Sequence, residues 1–155
     1  MSDGKTTPQQ YARQQRVVHD LFERYAREFN QGLQGQADLD AVSGLYASAF
    51  IAASPAGVTT GENGAALKGA MTQGFQHYRD TGCRRMELRG LEVMPVDPLH
   101  ALARVDWEAL YEVDGARKAV PFTNLYLVRT EGTAAKVFGW ITGDEAALLK
   151  QHGIG

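Results

Sequence analysis

The sequence predicts an α+β fold: three N-terminal helices packed on a strongly curved antiparallel sheet, forming a conical half-barrel with an internal pocket. Three observations predict it. Apolar residues recur at three- and four-residue spacing through the first half of the chain. In the second half the period falls to two, in long runs separated by turn signals. Helices and strands are thus segregated, which argues α+β, and a glycine where the alternation slips supplies the bend that curves a sheet.

Residues 1–8 read as a flexible tail and 9–155 as a single domain. Thr7 is a candidate N-cap and Pro8 suits a first helical turn. Val17, Val18, Leu21, Phe22, Tyr25 and Phe29 then form one helical stripe, ended by Gly32 and Gly35. Asp38 opens a short second helix with Leu39, Val42, Leu45 and Tyr46 on its apolar side. Residues 50–54 read as a strand closed by Pro55 and Gly57, with a small partner at 58–60. Asn63 is the expected cap of a third helix carrying Leu67, Met71, Phe75 and Tyr78, stopped by Gly82.

The strands follow. Met86 and Leu88 alternate with Glu87 and Arg89, the phase shifts at Gly90, and Leu91 and Val93 resume it, the mark of a β-bulge. Residues 95–98 read as a turn between two prolines. The next run is the clearest strand: Ala101, Ala103, Val105, Trp107, Ala109 and Tyr111 share one face, while Arg104, Asp106, Glu108 and Glu112 share the other. Asp114-Gly115 signals a hairpin. On the returning strand Val120, Phe122, Asn124, Tyr126 and Val128 form one face. Gly132 makes a turn, residues 135–142 the last strand, and Asp144 caps a terminal helix through Leu148 and Leu149.

Bulk properties narrow the function. The 155 residues are 44% apolar and 22% charged, which is globular composition and enough chain for one core. With 16 basic against 18 acidic residues there is no electrostatic case for nucleic acid or an anionic membrane. The single Cys83 forbids an internal disulfide and disfavours a thiolate zinc site. Flanking Arg84 and Arg85 would lower its pKa, while a small buried residue entering a strand is the plainer reading. No apolar run reaches bilayer length and residues 1–8 lack the apolar stretch of a signal peptide, so a soluble cytoplasmic chain is expected.

The element order resembles the nuclear-transport-factor-two-like superfamily, with its cystatin-like α+β cone. The local patterns that carry the resemblance are Leu45-Tyr46-Ala47 leading to Phe50 and the hairpin strand 105–111. They continue in the strand 121–129 and the closing Phe138-Gly139-Trp140-Ile141-Thr142-Gly143-Asp144-Glu145. SnoaL-like polyketide cyclases and uncharacterised bacterial relatives look nearest. The resemblance covers residues 11–153 and implies a homodimer through the open sheet face. It spans isomerases, cyclases, dehydratases and binding modules, so it does not name an activity. Steroid-isomerase-type and cyclase-type relatives use a cavity carboxylate. No acidic residue here falls on the apolar inner face, so no catalytic residue is carried over.

The pocket candidates come from the alternation. Trp107, Tyr111, Phe122, Asn124 and Tyr126 should line the sheet side, Tyr46, Phe50, Phe75 and Tyr78 the helix side, with Trp140 as a further wall. Such a set suits a small hydrophobic ligand or simply fills the core. Asn124 either orients a ligand carbonyl or satisfies a neighbouring backbone group or tyrosine hydroxyl. Asp106 and Glu108 should point outward, in solvent or a dimer interface, paired with Arg104 or Arg129. A reversed phase would make them cavity bases. His19, His77, His100 and His152 lack metal-ligand spacing, although His77 neighbours Tyr78 at the expected pocket mouth. Asp144-Glu145 reads first as a helix cap with a favourable dipole charge. The expected function is binding of a small hydrophobic ligand without cofactor or metal. The alternatives are proton transfer on a carbonyl substrate and protein interaction through the outer sheet face.

Overall fold

The structure is a computed structural model describing residues 6–155. The chain forms α1 (Pro8–Leu33), α2 (Leu39–Ser43), β1 (Tyr46–Ser54), β2 (Gly57–Glu62), α3 (Ala65–Thr81), β3 (Cys83–Asp97), β4 (His100–Val113), β5 (Ala116–Glu131), β6 (Ala134–Ile141) and α4 (Glu145–Gln151). One six-stranded sheet carries the order β2-β1-β6-β5-β4-β3. All its pairings are antiparallel except β1 with β6, because the early hairpin joins the sheet beside the last strand. Its edges, β2 and β3, do not meet. Register shifts within β3 and at Leu127/Val128 mark where the long strands bend.

Helix α1 fills the concave side. Thr7 accepts from the Gln10 backbone and Gln10 reaches back to Thr7, a capping box, and Pro8 stands in the first turn. The helix therefore starts inside the span expected as tail, and residues 1–5 of that tail lie outside the described residues. Val18, Leu21 and Phe22 are fully buried against Val105, Val128 and Val137 in one core. Three amides of α1 also dress the open sheet edge. Asn30 Oδ1 accepts from Met86 N at 2.8 Å while its Nδ2 donates to Met86 O at 2.9 Å, and Gln15 Nε2 donates to Val93 O at 3.1 Å. An edge strand must have its backbone groups satisfied or shielded, and here the helix does it. Gln14 Nε2 ties the helix to the β3–β4 turn through Asp97 O and His100 O at 3.0 and 3.1 Å.

The alternation read from the sequence sets the sheet's two faces. Ala101, Ala103, Val105, Trp107, Ala109 and Tyr111 are each at most 2% exposed, while Arg104, Asp106 and Glu112 face solvent. The slip at Gly90 is a bulge between Leu88 and Gly90, and a Cβ there would lie 2.9 Å from the Asp106 carboxylate. Asp114 and Gly115 take φ of 52° and 77°, as a two-residue hairpin turn requires.

Three local expectations need correction. Strand β1 begins at Tyr46 and not at residue 50, because Tyr46 pairs with Val137 and Val137 N donates to Leu45 O. Asn63 does not cap α3. Its Nδ2 donates to Ser43 O and Tyr46 O at 2.8 and 3.1 Å, bracing the α2–β1 junction, and Gly64 holds the cap position without a side-chain bond. Pro95 lies within β3 opposite Ala101, and the turn is confined to residues 98–99. An edge strand tolerates the missing N–H of proline.

Candidate functional site

Between the helices and the concave sheet face lies a cavity of two chambers. The inner one, about 210 Å³, is lined by Tyr25, Phe29, Tyr46, Met71, Tyr78, Met86, Trp107, Phe122, Asn124, Tyr126, Trp140 and Thr142. The outer one, about 450 Å³, opens past Tyr111, Ala109, Val120 and Pro121 on the sheet and Asp144, Glu145, Leu148 and Leu149 on the α4 side. Tyr78, Met86, Phe122, Asn124 and Thr142 belong to both, so they form the neck. A hollow of about 600 Å³ beside Asp20, Arg24, Arg27 and Lys136 is larger, but it is an open, mainly polar surface cleft without aromatic walls.

The inner wall is held by rings in stacked, edge and tilted contact. Tyr25 is at the centre, within 5.7 Å of the ring centroids of Phe22, Phe29, Trp107 and Tyr126. Its position follows from the α1 stripe, one turn beyond Leu21 and one before Phe29. At the sheet, Tyr126 OH accepts from Trp107 Nε1 at 3.0 Å and from Asn124 Nδ2 at 3.2 Å. Two incoming N–H groups leave that hydroxyl its own proton to give, and the Tyr25 hydroxyl is its neighbour. The Tyr25 and Tyr46 hydroxyls are hydrogen-bonded at 3.1 Å. Burial holds the phenols of Tyr25, Tyr46 and Tyr126 above the ordinary tyrosine pKa, so this chain of hydroxyls stays neutral. With Nδ2 turned to Tyr126, the Asn124 carbonyl oxygen is the free end of that amide at the neck.

Glu145 lines the outer chamber beside Asp144 and is exposed at its rim. Burial raises the Tyr78 phenol, and the nearby Glu145 charge adds to it. The same carboxylate reinforces Tyr111, after burial and Cys83. Asp144, by contrast, accepts from Ala147 N at 3.0 Å and caps α4 as expected.

The expected pocket residues divide clearly. Tyr46, Tyr78, Trp107, Phe122, Asn124, Tyr126 and Trp140 line the inner chamber, and Tyr111 lines the outer one. Phe50 and Phe75 line neither. Phe50 stacks behind Trp140 at 5.0 Å, and Phe75 sits edge-on behind Phe29 at 5.0 Å, pressed on Gly32. Both are one ring too far out to reach the cavity. Tyr25 and Phe29 were read only as a core stripe, although two rings four residues apart are also what a helix offers a cavity wall. Asp106 and Glu108 point outward, as the alternation requires. Their partners are Thr123, at 2.7 Å from Asp106, and Arg89, at 2.8 Å from Glu108, in place of Arg104 and Arg129. His77 is exposed and absent from both chamber walls. His100 is held between Asp97 and Arg129 on the far side of the sheet. Cys83 opens β3 fully buried, its thiol pushed up to about 11 mainly by burial, so it is not an activated nucleophile. Among the described residues no cluster of metal-ligating side chains occurs, and no helix is long and apolar enough to cross a membrane.

A sheet wrapped on one long helix around an aromatic cavity defines the cystatin-like cone. Solved structures of that class resemble the chain along most of its length. An NTF2-like protein with a cystatin-like fold from Novosphingobium aromaticivorans shares 21% identity at a TM-score of 0.66, covering 87% of this chain and 88% of its own. A ketosteroid isomerase-like protein from Erwinia carotovora atroseptica shares 18% at 0.58, covering 82% and 92%. An NTF-2 like protein of unknown function from Shewanella oneidensis shares 13% at 0.61, covering 84% and 98%. Within this class the chain belongs to the family described as NTF2-like protein (DUF6841), which matches residues 14–145. No curated protein matches the chain.

Proposed function

We propose that the protein binds a small hydrophobic ligand inside the cone. The observation that carries this reading is the two-chambered cavity itself, with an inner chamber walled by rings and thioethers and an outer one that is more polar. Protein interiors close-pack, so an open-mouthed hollow of this size between helices and sheet is a feature to explain. The outer chamber falls in the usual range for ligand sites of roughly 300–1,000 Å³. Among the described residues that line the inner chamber there is no carboxylate, imidazole or amine. A proton-abstracting reaction would lack its base there, and binding is the better-supported reading.

Trp107 and Trp140 stand on the inner wall and report the test. Titration with 1-naphthol should quench tryptophan fluorescence saturably. Thr142→Phe, at the neck, should weaken that binding by about tenfold or more, a loss of about 1.4 kcal/mol, with the circular dichroism spectrum unchanged. No saturable response up to millimolar probe, or equal affinity in the variant, would sink the proposal.

A second reading concerns assembly: two copies pair through the outer sheet face. Leu102 lies opposite Leu127, and Leu125 opposite Ile141. Ile51 and Leu127 close over Gly139, where a Cβ would meet each at 2.7 Å. The result is one apolar patch whose Ile51 and Ile141 are 38% and 48% exposed, on a surface suited to a symmetric partner.

A further inference from the structure

We infer that the outer chamber selects a ligand with a cationic, amine-type end, and turns away anionic ones. This rests on the cavity being a ligand site and adds the chemistry of the polar end. Several observations converge on it. Among the described residues no lysine, arginine or histidine lines either chamber. The carboxylates present stand together at the outer end, and Asp144 is already engaged by the α4 backbone. That leaves Glu145, exposed at the rim of the outer chamber, whose lining it shares with Tyr78 and Tyr111, and close enough to add to the effect of burial on both phenols. No ion pair of Glu145 is found among the described residues.

The remaining polar groups agree. Asn124 turns its amide N–H to Tyr126 and its carbonyl oxygen to the neck, so it offers an acceptor. The rings of Tyr78, Tyr111 and Phe122 line the same chamber as Glu145, and aromatic faces attract cations. A carboxylate, a free amide oxygen and three rings, with no basic side chain, form a field that a carboxylate or phosphate ligand could enter only against repulsion. A hydrophobic ammonium would place its apolar body toward the inner chamber and its charge beside Glu145.

The test uses three probes of one ring system, 1-naphthylmethylammonium, 1-naphthylmethanol and 1-naphthoate, measured by calorimetry at low salt on the full chain. The ammonium should bind about fivefold tighter than the alcohol, the upper end for a partly exposed ion pair, and the carboxylate weaker than both. Glu145→Gln should bring ammonium and alcohol within about twofold of each other, the remainder a cation–π preference. An unchanged circular dichroism spectrum and urea midpoint show that the fold and α4 are intact in that variant. If the alcohol binds but the ammonium gains nothing, or its advantage survives Glu145→Gln, the amine inference is overturned and the cavity reading stands. If none of the three binds, both fall together.

Discussion

The hydroxyl of Tyr126 is the most heavily used polar atom in the cavity wall. It accepts from Trp107, which is 2% exposed, and from Asn124. Tyr126→Phe removes the acceptor and leaves the indole N–H buried without a partner, which should cost about 1–3 kcal/mol in urea denaturation. Trp107→Phe in the same background removes the orphaned donor, so the double variant should lose less than the two single losses summed. Strict additivity would mean that the bond contributes nothing. A second prediction concerns alkaline pH. Burial raises the Cys83 thiol from about 9 to about 11, and raises the phenols of Tyr25, Tyr46 and Tyr126 as well. The fold therefore holds these protons more tightly than the unfolded chain does. The stability they confer is complete below the unfolded pKa values and is lost as pH rises through the folded ones. The urea midpoint should fall between pH 9 and 11, and Cys83→Ala should shallow that fall. A midpoint independent of pH across this window would contradict the burial argument. Asn124 was legible in the sequence as a polar residue on an apolar face, with its two roles left open. The structure shows it taking one of them, a tyrosine hydroxyl, with its amide nitrogen. The place of Glu145 at the outer chamber was not legible, because nothing local says that α4 lies beside the end of the sheet.

At the scale of the element, α3 shows how one residue type serves opposite ends. Gly82 ends the helix at φ 99°, and a Cβ there would lie 2.4 Å from Glu112 O. The Glu112 N–H donates to Gly82 O at 2.9 Å, so this glycine also sets where β3 starts against β4. Gly82→Ala should therefore cost more than the usual helix penalty, on the order of 2 kcal/mol. Gly74, inside the same helix, has open space around its missing Cβ, and Gly74→Ala should stabilise by about 0.5–1 kcal/mol. Opposite signs for these two substitutions in parallel urea melts are the check; a shared sign would refute the assignment. The same contrast explains what could be read in advance. Helix periodicity, the Asp114-Gly115 turn and the slip at Gly90 are local signals, and they placed α1, the β4–β5 hairpin and the β3 bulge. The start of β1 and the role of Asn63 depend on partners 91 and 20 residues away, Val137 and Ser43. Both were misplaced for that reason.

For the whole molecule, the two faces of the sheet divide the work. The concave face buries small residues, Ala101, Ala103 and Ala109, which leave room for α1 and the rings. The convex face carries Leu102, Leu125, Leu127, Ile51 and Ile141, apolar area that the core does not need. Its rim is charged: Arg89 sits between Glu87 and Glu108 at 2.6 and 2.8 Å, and Asp106 accepts from Thr123. An apolar centre with a polar rim is the anatomy of a protein interface, and a two-fold axis through it would set like residues against each other. Leu127→Arg puts a charge at that centre without touching the cavity wall. Sedimentation velocity at micromolar concentration should show the native chain as a dimer and the variant as a monomer. The variant's urea midpoint should also become independent of protein concentration, as mass action demands once association is lost. A native chain that sediments as a monomer throughout would leave the convex face without a partner of its own kind. The proposed ligand site, lined by residues of one chain, would still stand.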